Sequence, residues 1–262
     1  MFNKTVLDNG VRIVAESIPG ALSVSIGIWI RAGSCQETEQ ENGLAHFIEH
    51  MLFKGTSARS ARDIAYAIDS VGGVLNAFTS KEYTCIYAKV LSRHLNLAVD
   101  LLSDIFFDSQ FQPEEIERER NVIVQEINMV NDTPDDYVQD LFNHNFFGNH
   151  PLGYNILGDI SSVQKFSRDD LNAFYCREFL VPDRIIIAAA GNVDFAALCD
   201  EAAPRFASLK PKHCKPAPAP FTPQRSVTCY FRKLEQVHLC MGTSGVGQND
   251  PDRFGLTVLN TV

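Results

Sequence analysis

Apolar and polar positions change their period several times along the chain, and each change predicts an element. Residues 4–16 read as a strand pair around Asn9-Gly10, a dipeptide suited to the positive φ angles of a tight hairpin turn. SVSIGIWIRA (23–32) alternates small or polar residues with Val, Ile, Trp and Ile, as a half-buried strand does. A polar loop, SCQETEQENG, follows. Residues 44–53 then switch to helical spacing, with Leu44, Phe47, Ile48, Met51 and Leu52 on the apolar side. RDIAYAIDSVG predicts a second short helix that stops at Gly72-Gly73. VLNAFTS and EYTCIYAKV read as two strands, and helices are expected over 93–107 and 113–130. The second of these opens on Pro113 and a group of acids, both favoured at a helix N-terminus. A helix over 135–146, the loop GNHPLGYNILGD, a helix over RDDLNAFYCREF, a buried strand at RIIIAAAG and a helix over 194–204 complete the region. Strands, helices, strands and helices in this order predict a layered α+β domain rather than strict βαβ alternation.

Proline usage places one boundary. Five of the twelve prolines fall between 211 and 223, so 210–224 reads as a stiff, extended linker between a unit at 1–209 and a segment at 225–262. In that segment SVTCYFRK and VHLCMGTS read as strands, and a helix starting near Asp250-Pro251 runs to Val262. The same order of strand, strand, loop and helix describes the opening of the chain. Residues 225–262 are therefore expected to begin a second, similar half, and the chain to be the front part of a longer protein.

Composition narrows the function classes. Hydrophobic residues make up 45% and charged residues 21%, which suits a well-filled globular core. Lys plus Arg number 23 against 32 Asp plus Glu, a net charge of −9, with no basic run to hold a phosphate backbone, so nucleic acid is not expected as a partner. The longest apolar run, Ile185 to Ala190, is too short to cross a bilayer, and no signal peptide is visible at the N-terminus. Seven cysteines without a CxxC pair read as reduced thiols rather than a disulfide framework or a cysteine metal site, and a cytoplasmic location is expected.

The candidate chemistry lies in His46-Phe47-Ile48-Glu49-His50. Positions four apart on a helix are separated by about 40° around its axis, so both imidazoles leave one face and can grip one ion. Glu49 flanks that face, within reach of a water on the ion. A composition like this one yields the five-residue pattern by chance at a frequency of ~1%. Two histidines satisfied by hydrogen bonds on an amphipathic helix are the structural alternative. A catalytic zinc takes three protein ligands and leaves a position for water, and His₂Glu is one established set. On the 113–130 helix, Glu119 and Glu126 are seven residues apart and share a face. Glu126 sits in an apolar stretch, VIVQEI, where a cation beside it removes the penalty of burying a carboxylate. Taken alone, it reads first as a solvated residue on an ordinary helix.

AHFIEHMLFKGT, with an acidic residue 76 positions beyond His50, resembles the pitrilysin/insulysin (M16) metallopeptidases, and within them the mitochondrial-processing-peptidase-like branch. DNGVRIV, GGVLNAFTSKEYT (72–84), ERERNVIVQEI (117–127) and HPLGYNILGD (150–159) extend the resemblance over essentially the whole chain. It implies two similar α+β halves closing like a clamshell round a peptide chamber. It makes His46, His50 and Glu126 zinc ligands, Glu49 the general base, and Glu119 a carboxylate that orients the ligands. It places Asn76 against the substrate backbone on a strand edge, where a turn role is the alternative. Phe53 and Lys54 follow the metal helix, where they can line the cleft or simply pack. The expected activity is endopeptidase cleavage of peptides or unfolded segments by metal-activated water. The arginine and tyrosine that the family's second half contributes have no counterpart here, so the chain alone is expected to bind zinc and cleave poorly. Its partners would be peptide substrate and a second half or another subunit of the family, with a homodimer possible. A non-catalytic subunit and a metal-dependent hydrolase of a small molecule are the competing readings.

Overall fold

The computed structural model describes residues 1–211, 221 and 225–261. Six strands build one open sheet: β1 (Phe2–Val6), β2 (Arg12–Ser17), β3 (Ser23–Ile30), β4 (Val74–Thr79), β5 (Thr84–Leu91) and β6 (Ile185–Gly191). Their spatial order is β1-β2-β6-β3-β5-β4. All neighbours are antiparallel except β2 and β6, which run parallel, so the last strand in sequence enters the middle of the sheet. RIIIAAAG can occupy that position because it needs no polar face. Ile185, Ile187 and Ala189 are buried on one side of the strand.

The alternation of β3 decides which face is covered. Val24, Ile26, Ile28 and Ile30 are at most 2% exposed, and they join one core with the helices. Those helices are α1 (Leu44–Leu52), α2 (Ala61–Asp69), α3 (Leu95–Asp108), α4 (Pro113–Asp132), α5 (Pro134–Phe147), α6 (Ile160–Val163), α7 (Arg168–Phe174) and α8 (Phe195–Phe206). Phe106 of α3 stacks on Phe206 of α8 at 5.7 Å between ring centres and meets the buried Tyr175 at 6.1 Å. The opposite parity of the sheet stays more open. There Trp29 packs edge-on against Phe78 and beside Tyr83.

The predicted elements from the first hairpin to the 194–204 helix are present, with ends displaced by a few residues. α6, a single turn capped by the Asp159 side chain, was not anticipated, because four residues carry too little period to recognise. The helix expected over RDDLNAFYCREF is α7, continued by a wider π turn over Tyr175–Phe179.

The segment after the prolines departs from expectation. Most of the 210–224 linker lies outside the described residues. SVTCYFRK and VHLCMGTS form no strand, and Val227, Phe231 and Val237 are almost fully exposed. A strand is stable only when its N–H and C=O groups find a partner ladder, and these residues pair with neither sheet edge. They run instead beside α5. Tyr230 hydrogen-bonds Asn145, Arg232 lies over the Tyr137 ring, and His238 Nδ1 meets Asp135 at 2.7 Å. The helix expected from near Asp250-Pro251 to Val262 forms as the shorter α9 (Arg253–Leu259), and Val262 lies outside the described residues. Among the described residues no helix is long and apolar enough to cross a membrane.

Candidate metal centre

α1 and α4 pack against each other, and that crossing assembles the candidate site. α1 turns its apolar residues into the core: Phe47, Ile48, Met51 and Leu52 have no exposed surface. This fixes the rotation of the helix and leaves His46 and His50 together on the side that faces α4. Their rings lie 4.6 Å apart between centres, at 67° to each other. α4 is anchored by Ile116, Ile123 and Ile127, whose spacing sends Glu119 and Glu126 along the adjoining face.

Glu126 Oε2 is 3.7 Å from His46 Nε2 and 3.5 Å from His50 Nε2. One donor atom from each of the three residues falls within 4.8 Å of the others. Ligand atoms about 2.1 Å from a tetrahedral zinc are about 3.4 Å from each other, so the two measured separations fit such an ion. Two orphaned polar atoms adjoin the cluster. His46 Nδ1 and Glu49 Oε2 are buried without a hydrogen-bond partner, although buried polar atoms are almost always paired. The donor set, with a buried Glu49 oxygen left unpaired, fits a divalent cation.

Charge and burial distinguish the side chains. Burial, then the neighbouring His50, pushes the His46 imidazole down to about 3, which keeps it neutral and able to donate a lone pair. Burial raises the Glu49 carboxyl above its ordinary value, against hydrogen bonds from Thr79 and the charge of His50. Glu119 does not enter the three-atom cluster. Its Oε2 lies 3.0 Å from His50 Nδ1 and its Oε1 lies 2.6 Å from Lys54 Nζ, so a single carboxylate joins the imidazole to the ammonium.

The other singled-out residues are more peripheral. Phe53 is the C-cap of α1, half-buried against the core. Asn76 is exposed on β4, the edge strand, opposite Tyr87, and its Oδ1 accepts from the Ala77 amide. His94 Nε2 accepts from the adjacent Arg93, His238 Nδ1 meets Asp135 at the start of α5, and His150 Nδ1 accepts from the Leu152 amide. His213 lies outside the described residues. Sequence reasoning passed over Glu37, which is only 4% exposed and reaches the start of α1. Its position in a polar loop, with no apolar period around it, gave no sign of burial. Thr79, at the end of β4, was also overlooked as a partner of Glu49.

The comparisons fit this geometry. The family model described as insulinase (peptidase family M16) matches residues 12–160. The chain belongs to that family. A second model, the M16 inactive domain, matches residues 165–262. "Uncharacterized zinc protease YmxG" of Bacillus subtilis is 45% identical over 264 residues, covering 100% of this chain and 64% of that protein. "Probable mitochondrial-processing peptidase subunit beta" of Arabidopsis thaliana is 37% identical, covering 98% of this chain and 49% of the relative. The chain thus spans about half to two thirds of the length of these curated relatives. A protease from Helicobacter pylori shares the fold with a TM-score of 0.78 at 22% identity, over 86% of this chain and 54% of that one. The periplasmic protease PqqL of Escherichia coli does so with a TM-score of 0.74 at 22% identity, over 84% and 25%. The M16 family fold accounts for the open six-stranded sheet with helices packed against it. The strand β6 lies in the part matched by the inactive-domain model, yet it completes the sheet begun by residues 2–91.

Proposed function

We propose that residues 1–209 form the metal-binding half of a zinc-dependent endopeptidase, with His46, His50 and Glu126 as ligands and Glu49 as general base. The observation that carries this reading is the convergence of three ligand atoms within 4.8 Å beside a partnerless, buried Glu49 oxygen. Relatives bearing the name zinc protease support the choice of ion. Zinc held there would supply Lewis acidity toward water and toward a scissile carbonyl oxygen.

The chain's own residues do the rest. His46 stays neutral through burial, and Glu119 holds His50 Nδ1 so that Nε2 remains directed at Glu126. Glu49, its carboxyl raised by burial, takes a proton from the attacking water and passes it to the leaving amine. β4 ends the sheet, so an extended peptide can add along its free edge past Asn76, with main-chain hydrogen bonds giving register without strict sequence demand. Phe53 lies at the end of α1, where it would contact the substrate. Residues 225–262 would open the second half, which closes over the peptide as the remainder of the protein or as another subunit of the family, a second copy included. The six described cysteines are free thiols, in keeping with a reducing cytoplasm.

Glu49→Gln tests the assignment of the base. In a form of the protein with measurable peptidase activity, the variant should bind zinc normally and lose at least about a hundredfold in cleavage of an unfolded peptide, the lower bound for general-base catalysis. Undiminished cleavage would remove Glu49 from the mechanism.

A further inference from the structure

The first turn of α1 is held in an unusual way. Its N-cap is Gly43, at φ 105°, which has no side chain to accept from the first-turn amides. The acceptor arrives from the preceding loop. Glu37 Oε1 accepts from the Ala45 amide at 2.7 Å, and Oε2 accepts from the Gly43 amide and Asn42 Nδ2, both at 2.9 Å. A carboxyl group at this position offers acceptors to donors that the start of a helix leaves without a partner. The loop before α6 closes over the same turn. Asn42 Nδ2 also donates to the Asn155 carbonyl at 2.8 Å, and a Cβ added to Gly158 would lie 2.4 Å from the Asn42 carbonyl oxygen.

The two histidines of α1 are secured differently. His50 is oriented through its ring, because Glu119 holds Nδ1 and Lys54 holds Glu119. His46 Nδ1 has no such partner. The direction of its ring depends on packing and on the backbone that carries it, and that backbone follows directly from the Ala45 amide bonded to Glu37. Accordingly, we infer that Glu37 is a positioning residue for His46, fixing from the main chain the imidazole that no side chain orients. The inference rests on the metal-site reading above and adds a residue to it from outside both ligand helices.

Zinc affinity and the visible absorption of the cobalt-substituted protein, both measured on the full chain, test this. Glu37→Ala should weaken zinc binding about 10- to 100-fold, as losing an orienting partner does, and alter the cobalt bands. Glu37→Gln, whose amide oxygen can still accept from Ala45, should restore most of the affinity and the wild-type bands. Leu101→Ala, deep in the core and away from the site, controls for general destabilisation and should leave both readouts unchanged. If Glu37→Ala does not fold, Glu37→Asp, which keeps the carboxyl group on a shorter arm, takes its place with the same expectation. Affinity within twofold of wild type and unaltered cobalt bands in the Ala or Asp variant would overturn the role of Glu37 while leaving the metal site intact. Absence of zinc binding by the wild type would overturn both.

Discussion

SVSIGIWI and SVTCYFRK begin alike and alternate alike, yet they end in opposite states. The first is β3, paired along its whole length with β5 and β6, with Val24, Ile26, Ile28 and Ile30 inside the core. The second, at 226–233, forms no ladder and leaves Val227 and Phe231 in solvent. Alternation shows that a segment can present an apolar face, and only a neighbouring strand turns that capacity into structure. What holds the second segment is a set of exposed polar contacts with α4 and α5, such as Arg232 with Asp132 at 3.8 Å. Contacts of this kind contribute roughly 0–1 kcal/mol each.

Substitutions in the two regions should separate them most sharply. Phe106 is fully buried among Phe107, Tyr175 and Phe206, so Phe106→Ala should destabilise the protein by about 3–5 kcal/mol in urea unfolding. A loss below about 1 kcal/mol would mean that the core is far looser than its packing implies.

An effect that depends on pH should come from Glu37, whose carboxyl burial pushes up to about 8 against the pull of its three N–H donors. The folded state therefore holds this proton more tightly than the unfolded chain does. Its contribution to stability is fully present below the ordinary carboxyl range near 4.5 and is lost as pH rises through about 8. Denaturant midpoints of wild type should accordingly fall relative to those of Glu37→Gln between about pH 5 and about pH 8. Parallel curves would contradict the buried position of this group.

The smallest effect belongs to the exposed segment. Phe231→Ala should change stability by less than about 0.5 kcal/mol, because the ring is already in water. A loss comparable to that of Phe106→Ala would show that residues 225–246 carry a packed face after all.

Much of this architecture was legible in the chain. The Asn9-Gly10 hairpin, the apolar side of α1 and the proline start of α4 follow from local rules, because turn chemistry and period are local properties. His46 and His50 were legible for the same reason, being one helical turn apart. Glu126 needed a second helix to be placed against the first, and periodicity could offer only the right face. Glu37 was not legible. Its burial depends on where a loop folds back over a helix start, and its nearest partners are backbone amides that no residue pattern encodes. The strands expected after residue 225 failed for the opposite reason: the local signal was present, and no strand among the described residues pairs with it.

Zinc titration of the full chain by calorimetry, alongside His50→Ala and Glu126→Ala, asks whether the three side chains hold one ion. The wild type should show a single tight site per chain, lost in His50→Ala and weakened at least about tenfold in Glu126→Ala, whose carboxylate would be one of three protein ligands. Unchanged stoichiometry and affinity in Glu126→Ala would contradict this, because the two imidazoles would then be binding zinc without the distant carboxylate.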